Sequence, residues 1–243
     1  MSKAAAAILY APGTNCHEET AAALDAAGVE SSVVLLHDLL DGVDRLTRYQ
    51  ALVIPGGFSY GDHLGAGRIF AAMLGARLGD QLAKFLAAGK PMLGICNGFQ
   101  VLAEAGILPG GRSGQRAMAL LENESARFED RMVRLLVCGP ESPWTRGLAG
   151  RILRMPSAHA EGRALFCGDA ASRTVLRYAD ASGAPANSYP ENPSGAPNAT
   201  AGVIDETGIA LGLMPHPERA SLPVHYSQDG LEIFKNLARW LQR

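Results

Sequence analysis

Short apolar runs alternating with helical patterns constrain this chain more than any other feature of its sequence. Residues 5–10, 32–36, 51–54 and 91–95 are apolar almost throughout and show no polar alternation. Runs of that kind suit strands buried on both faces. Helical patterns lie between them. Residues 18–27 are Ala-rich and end at Gly28. Residues 67–88 carry Phe70, Leu74, Leu78, Leu82 and Leu86 four apart on one ridge, and Gly89 stops them. Residues 97–105 form a third helix, ended by Gly106. This order predicts a parallel sheet covered by helices on both faces, with functional groups at the carboxyl ends of the strands.

After Pro109 the rhythm changes. Residues 127–137, 151–155 and 174–178 read as strands with no long helix between them, a small antiparallel or mixed section packed onto the main sheet. Residues 180–200 are rich in Pro, Gly, Ser, Ala and Asn and read as a long irregular loop, a kind that often serves function. Two strands flank Gly208, and residues 230–241 close the chain as a helix with Leu231, Phe234, Leu237 and Leu241 as its buried stripe. The expected class is therefore α/β, a flavodoxin-like, mostly parallel sheet with a small mixed section in the second half. At 243 residues one domain over 1–243 is expected.

Composition removes several functions. The formal net charge is −2 and no run of Lys or Arg occurs, so no field draws the chain to nucleic acid or a membrane surface. No stretch approaches the roughly 18 apolar residues of a spanning helix. The apolar N-terminal stretch is too short for a secretory signal and reads as a first strand. Four cysteines at 16, 96, 138 and 167 form no CxxC pair, which predicts neither a disulfide framework nor a zinc knuckle. A cytoplasmic chain without a metal fits. Asn123-Glu-Ser and Asn198-Ala-Thr match the glycosylation pattern, which carries no weight without secretion.

Chemistry concentrates in three segments. Gly94-Ile-Cys96-Asn97-Gly98-Phe-Gln100 joins a strand to a helix as a G-x-C-x-G elbow. The glycines allow the sharp turn, Cys96 rises at the helix N-terminus where the dipole favours an anion, and the Asn97 N–H points where an oxyanion would develop. A small buried cysteine beside turn glycines is the alternative. Met214-Pro-His216-Pro-Glu218-Arg219 supplies a base and its orienting group. Residues i and i+2 of an extended segment point the same way, so Glu218 can hold the His216 imidazole. A capped turn with a surface His would look similar, but beside the elbow the pair makes a Cys96–His216–Glu218 triad. Ile54-Pro-Gly56-Gly57-Phe58 lets backbone approach a substrate, with the Gly57 N–H as second oxyanion donor. His159 and Glu161 read as bordering the site or touching a partner, and Cys16 as facing the same cleft or, on balance, structural. Cys138 and Cys167 read as small apolar residues.

These residues resemble the class I (triad) glutamine amidotransferases, and within them the glutaminase subunits of phosphoribosylformylglycinamidine synthase. The resemblance runs through Pro12-Gly-Thr-Asn-Cys16, Gly56-Gly-Phe-Ser-Tyr-Gly-Asp62, Gly94 to Gln100, His159-x-Glu-Gly162, Asn192-Pro-Ser-Gly195 and Met214 to Arg219. His17, Leu64-Gly65-Ala66-Gly67 and Ala160 depart from the family's usual residues, outside the triad. The resemblance implies that Cys96 attacks the amide carbon of L-glutamine, that His216 protonates the departing ammonia and then activates water, and that Gln100 helps seat the substrate. It also implies a separate synthetase chain that uses ATP and Mg to convert formylglycinamide ribonucleotide, with a small bridging subunit, and no cofactor in this chain. The alternatives are a glutaminase for another synthetase, a related elbow-cysteine hydrolase or isomerase acting on another substrate, and a non-catalytic docking subunit.

Overall fold

The structure is a computed structural model and describes residues 5–110 and 115–243. Residues 1–4 of the N-terminal stretch lie outside it. The first half runs β1 (Ala5–Tyr10), α1 (His17–Ala26), β2 (Glu30–Leu35), α2 (Leu36–Leu40), β3 (Ala51–Ile54), α3 (Arg68–Ala87), β4 (Met92–Ile95) and α4 (Asn97–Glu104). The second half runs β5 (Met118–Leu121), β6 (Glu129–Val137), β7 (Ile152–His159), β8 (Arg163–Phe166), β9 (Thr174–Ala179), β10 (Thr200–Ile204), β11 (Ala210–Leu213) and α5 (Leu231–Leu241).

Among the described residues these strands form a nine-stranded sheet, ordered β2-β1-β3-β4-β11-β10-β9-β6-β7, and a separate β5-β8 pair. The first five neighbours are parallel and the remaining joins antiparallel. From β1 the chain steps one way to β2 and the other way to β3 and β4. Right-handed crossovers in opposite directions put α1 and α3 on opposite faces. Helix α1 packs with α5, and α3 with α4. Every residue of β3 and β4 is buried, as expected for strands covered on both sides.

The ridge read from the sequence is the buried face of α3: Phe70, Leu74, Leu78, Leu82 and Leu86 all lie in the core. Two readings change. The antiparallel section does not pack onto the sheet but extends it, because the open edge of β11 pairs with β10 and three more strands follow. The stripe of α5 centres on Ile233, Phe234 and Leu237, while Leu231 and Leu241 are only half-buried at the helix ends. The short elements α2, β5 and β8 are absent from the sequence reading.

Parallel strands β1, β3, β4 and β11 all end on one edge, where the chain continues into Cys16, Gly57, Cys96 and His216 respectively. The strand order reverses between β1 and β3, which is where open α/β sheets leave a crevice for a ligand. Beneath it, the ring of Phe99 from α4 lies over β11 in the space a side chain on Gly212 would occupy, 2.1 Å from an ideal Cβ there. Gly212→Ala is therefore expected to push α4 off the sheet and cost about 1–3 kcal/mol. A urea unfolding midpoint well below that of the wild type would show this, and an unchanged midpoint would mean that α4 does not depend on that contact.

Candidate active site

The β4–α4 turn is strained at its centre. Cys96 has φ 51° and ψ −106°, a left-handed backbone that non-glycine residues seldom adopt. The flanking glycines make it possible. A Cβ on Gly98 would fall 1.8 Å from the Ile54 carbonyl oxygen, and one on Gly94 would fall 2.6 Å from the Gly98 carbonyl oxygen. The turn leaves Cys96 largely buried, with its thiol donating to the Ala158 carbonyl at 3.5 Å.

His216 enters from the end of β11. Its backbone N–H donates to the Pro156 carbonyl at 2.7 Å, which ties it to β7. Its Nδ1–H donates to Glu218 Oε1 at 2.6 Å, and both side chains are buried. Glu218 stands in a 3-10 turn, Pro217–Ala220, and not in an extended segment as read from the sequence. The turn still returns its carboxylate to the ring. Buried Nε2 makes no full hydrogen bond, so it is the nitrogen available to a thiol or a substrate. Burial opposes a charge on His216, but the Glu218 carboxylate, the Cys96 thiol and the Cys16 thiol outweigh it and raise its pKa well above the usual imidazole value.

Gly57 lines the cleft, and Asn97 follows Cys96 directly at the start of α4. Gly57 has φ 144°, and a Cβ there would sit 2.6 Å from the Gly13 carbonyl oxygen, so only glycine fits. Asn97 is the first residue of α4, where a backbone N–H has no acceptor within the helix. Its side chain braces the wall. Oδ1 accepts from the Ser59 N–H at 3.2 Å, and Nδ2 donates to Asp62 Oδ1 at 3.1 Å and to Gln100 Oε1 at 3.0 Å. Gln100 Nε2 in turn donates to the Glu161 carbonyl at 2.7 Å. Gln100 lines the cavity, yet both ends of its amide are engaged within the protein. Asp62 is held above the usual carboxylate pKa by burial, against hydrogen bonds from Gly67 N–H and Asn97.

Cys16 does face this cleft. Its thiol donates to Asn15 Oδ1 at 3.1 Å and accepts from Arg219 Nη2 at 3.2 Å, and Arg219 also bonds Glu19. Burial raises the Cys16 thiol pKa, against a contact with His216. An ideal Cβ on Gly56 would stand 2.9 Å from His216 Cε1, 3.1 Å from Cys16 Sγ and 3.5 Å from Cys96 Cβ, so the three groups close around that glycine. Cys138 is half-buried and Cys167 exposed, both away from the cleft.

A family model for the CobB/CobQ-like glutamine amidotransferase domain matches residues 3–241. The chain belongs to this family. Among curated amidotransferase relatives, phosphoribosylformylglycinamidine synthase subunit PurQ of Dehalococcoides mccartyi is 39% identical, with 100% of each chain covered. The PurQ protein of Pyrococcus furiosus is 40% identical over 97% of this chain and 98% of its own. Among solved structures, a chain of PurLQS from Thermotoga maritima superposes with TM-score 0.81 at 35% identity, covering 98% of this chain and 99% of that one. A putative GMP synthase component from Thermoplasma acidophilum shares the fold, at TM-score 0.62 and 16% identity over 100% of this chain and 96% of that one.

Sequence reading misses what lies behind the amidotransferase cleft. His159 is buried, with Nδ1 at 2.9 Å from Asn123 Oδ1 and Nε2 at 3.4 Å from the Tyr178 hydroxyl. Asn123 Oδ1 also accepts the Gly162 N–H, so the shared atom is an oxygen and His159 carries its proton on Nδ1. Tyr178 then donates to Nε2, and burial raises its phenol pKa. The sequence marks the His159–Gly162 segment, but nothing local in it points to Asn123 as the partner of that segment.

Burial, with His216 and Arg131 nearby, lowers the His159 pKa from 6.5 to about 3. Between those values the unfolded chain binds a proton that the folded chain refuses, so this group makes stability fall as pH falls. Relative to His159→Gln, the wild type should lose roughly 2–3 kcal/mol between about pH 7 and pH 4. Paired urea titrations across that range would measure it. A difference independent of pH would mean that His159 titrates normally.

Proposed function

We propose that this chain hydrolyses L-glutamine to glutamate and ammonia through a thioester on Cys96. The observation that carries the reading is the buried His216, held by Glu218 on one nitrogen and open on the other, against a cysteine in an elbow conformation. The Cys96 thiolate attacks the amide carbon, and the electrons of the C=O move onto oxygen. The N–H groups of Gly57 and Asn97 hold that oxyanion. His216 gives the Nε2 proton to the departing nitrogen, ammonia leaves, and a γ-glutamyl thioester remains. His216 then takes a proton from water, which attacks the thioester and releases glutamate and the thiol. Glu218 keeps the ring in one tautomer and stabilises its charged form. Gln100 acts on the substrate through the wall it holds. Residues 1–243 act as one catalytic domain in this reading.

The ammonia goes to a separate synthetase chain that converts formylglycinamide ribonucleotide to formylglycinamidine ribonucleotide in purine synthesis. Support comes from the names of the relatives and from the likeness to a chain of PurLQS. ATP and Mg belong to the synthetase, and a small third protein completes the complex. Among the described residues no helix is long and apolar enough to cross a membrane, which suits work in the cytoplasm beside such partners.

Steady-state glutamate release, measured with the synthetase present, tests the triad. Cys96→Ala should abolish it. Glu218→Gln keeps the shape but removes the charge, and should lower kcat by about 10²–10⁴-fold with little change in KM. Wild-type kcat in Glu218→Gln would remove that residue from the mechanism.

A further inference from the structure

We infer that Asn123 is a positioning residue for the reaction, fixing the 158–162 wall of the glutamine pocket against the Cys96 thiol. The inference rests on the glutaminase reading above. Asn123 follows β5, is buried, and does not line the cavity. Its contacts nonetheless converge on one short segment. Nδ2 donates to the His159 carbonyl at 2.8 Å and to the Arg127 carbonyl at 2.9 Å. Oδ1 accepts the Gly162 N–H at 3.1 Å and the His159 Nδ1–H at 2.9 Å. The Asn123 backbone N–H donates to the Ala160 carbonyl at 2.7 Å. One residue thus holds both ends and the middle of the turn between β7 and β8.

The segment it holds faces the chemistry. The Ala158 carbonyl accepts from Cys96 Sγ at 3.5 Å, and the Glu161 carbonyl accepts from Gln100 Nε2 at 2.7 Å. Ala158, Ala160 and Glu161 line the cavity with Cys96 and His216. Two further groups lock the turn. A Cβ on Gly162 would fall 2.4 Å from His159 Cε1, so the imidazole lies flush against that glycine, and Tyr178 holds the far side of the ring. With both ends of its amide engaged in the interior, Asn123 is no glycan acceptor despite its sequence pattern. No other residue type fits: the site asks for two donors and an acceptor of two bonds from one short side chain, which describes an amide.

A residue that merely supported the turn would change stability and leave the thiol's selectivity alone. A positioning residue changes how the pocket presents glutamine to the thiol, and displacements near 1 Å cost up to about 10²-fold. The full chain, with and without its synthetase, would be alkylated at Cys96 by an electrophilic glutamine analogue and, separately, by iodoacetamide, which needs no pocket. Asn123→Ala should slow the analogue at least about tenfold and iodoacetamide by less than about threefold. Asn123→Asp, which keeps the acceptor and loses the donors, should fall between. Gly162→Ala leaves Asn123 intact but displaces His159, and should show the same selective loss even if Asn123→Ala fails to fold. Folded Asn123→Asp and Gly162→Ala that react with the analogue at the wild-type rate, or that lose both reagents equally, would overturn the inference alone. Wild-type labelling that glutamine does not slow would overturn the glutaminase reading instead.

Discussion

The site depends on two backbones meeting where no side chain can stand. The first turn of α4 rests on β3 so closely that a methyl group on Gly98 would overlap the Ile54 carbonyl, and one on Gly94 would press on the Gly98 carbonyl. That contact drives the chain through a left-handed conformation at Cys96. The strain is local, and the surrounding core holds it. Phe99 and Leu102 of the same helix are fully buried, and every residue of β3 and β4 is interior. A helix this well anchored can hold a thiol in an unfavourable backbone geometry, which is how a rigid scaffold preorganises a nucleophile.

Around the elbow the remaining parts arrive from separate strands at one sheet edge. β1 brings the loop that confines Gly57, β3 brings Gly57 itself, and β11 brings His216. The antiparallel extension has a role here too. By continuing the sheet past β11, it places the end of β7 beside His216, through the His216 N–H to Pro156 bond, and beside Cys96, through Ala158. The non-parallel half of the molecule therefore supplies the pocket wall that the parallel half lacks.

What can be read in the sequence follows from the range of the forces involved. Strands β1 and β3 and the ridge of α3 are legible because burial on both faces, or on one helical ridge, writes a continuous apolar pattern. The elbow and the His216–Glu218 pair are legible because their partners lie within a few residues of each other. The pairing of β10, β9, β6 and β7 into the main sheet is not, since register between distant segments leaves no local mark. Cys16 beside His216 and Asn123 bonded to His159 are hidden for the same reason: 200 and 36 positions separate the partners, and only the folded chain brings them together. Asn123 is also masked by a surface pattern that its burial contradicts.

The central claim is that Cys96 forms a covalent bond to the glutamine side chain inside this pocket. Intact-mass analysis and peptide mapping after treatment with an electrophilic glutamine analogue test it most directly. The account predicts one adduct per chain, mapped to Cys96, suppressed by excess glutamine and absent in Cys96→Ala. Adducts spread over Cys16, Cys138 and Cys167, or a Cys96 adduct indifferent to glutamine both with and without the synthetase, would contradict it.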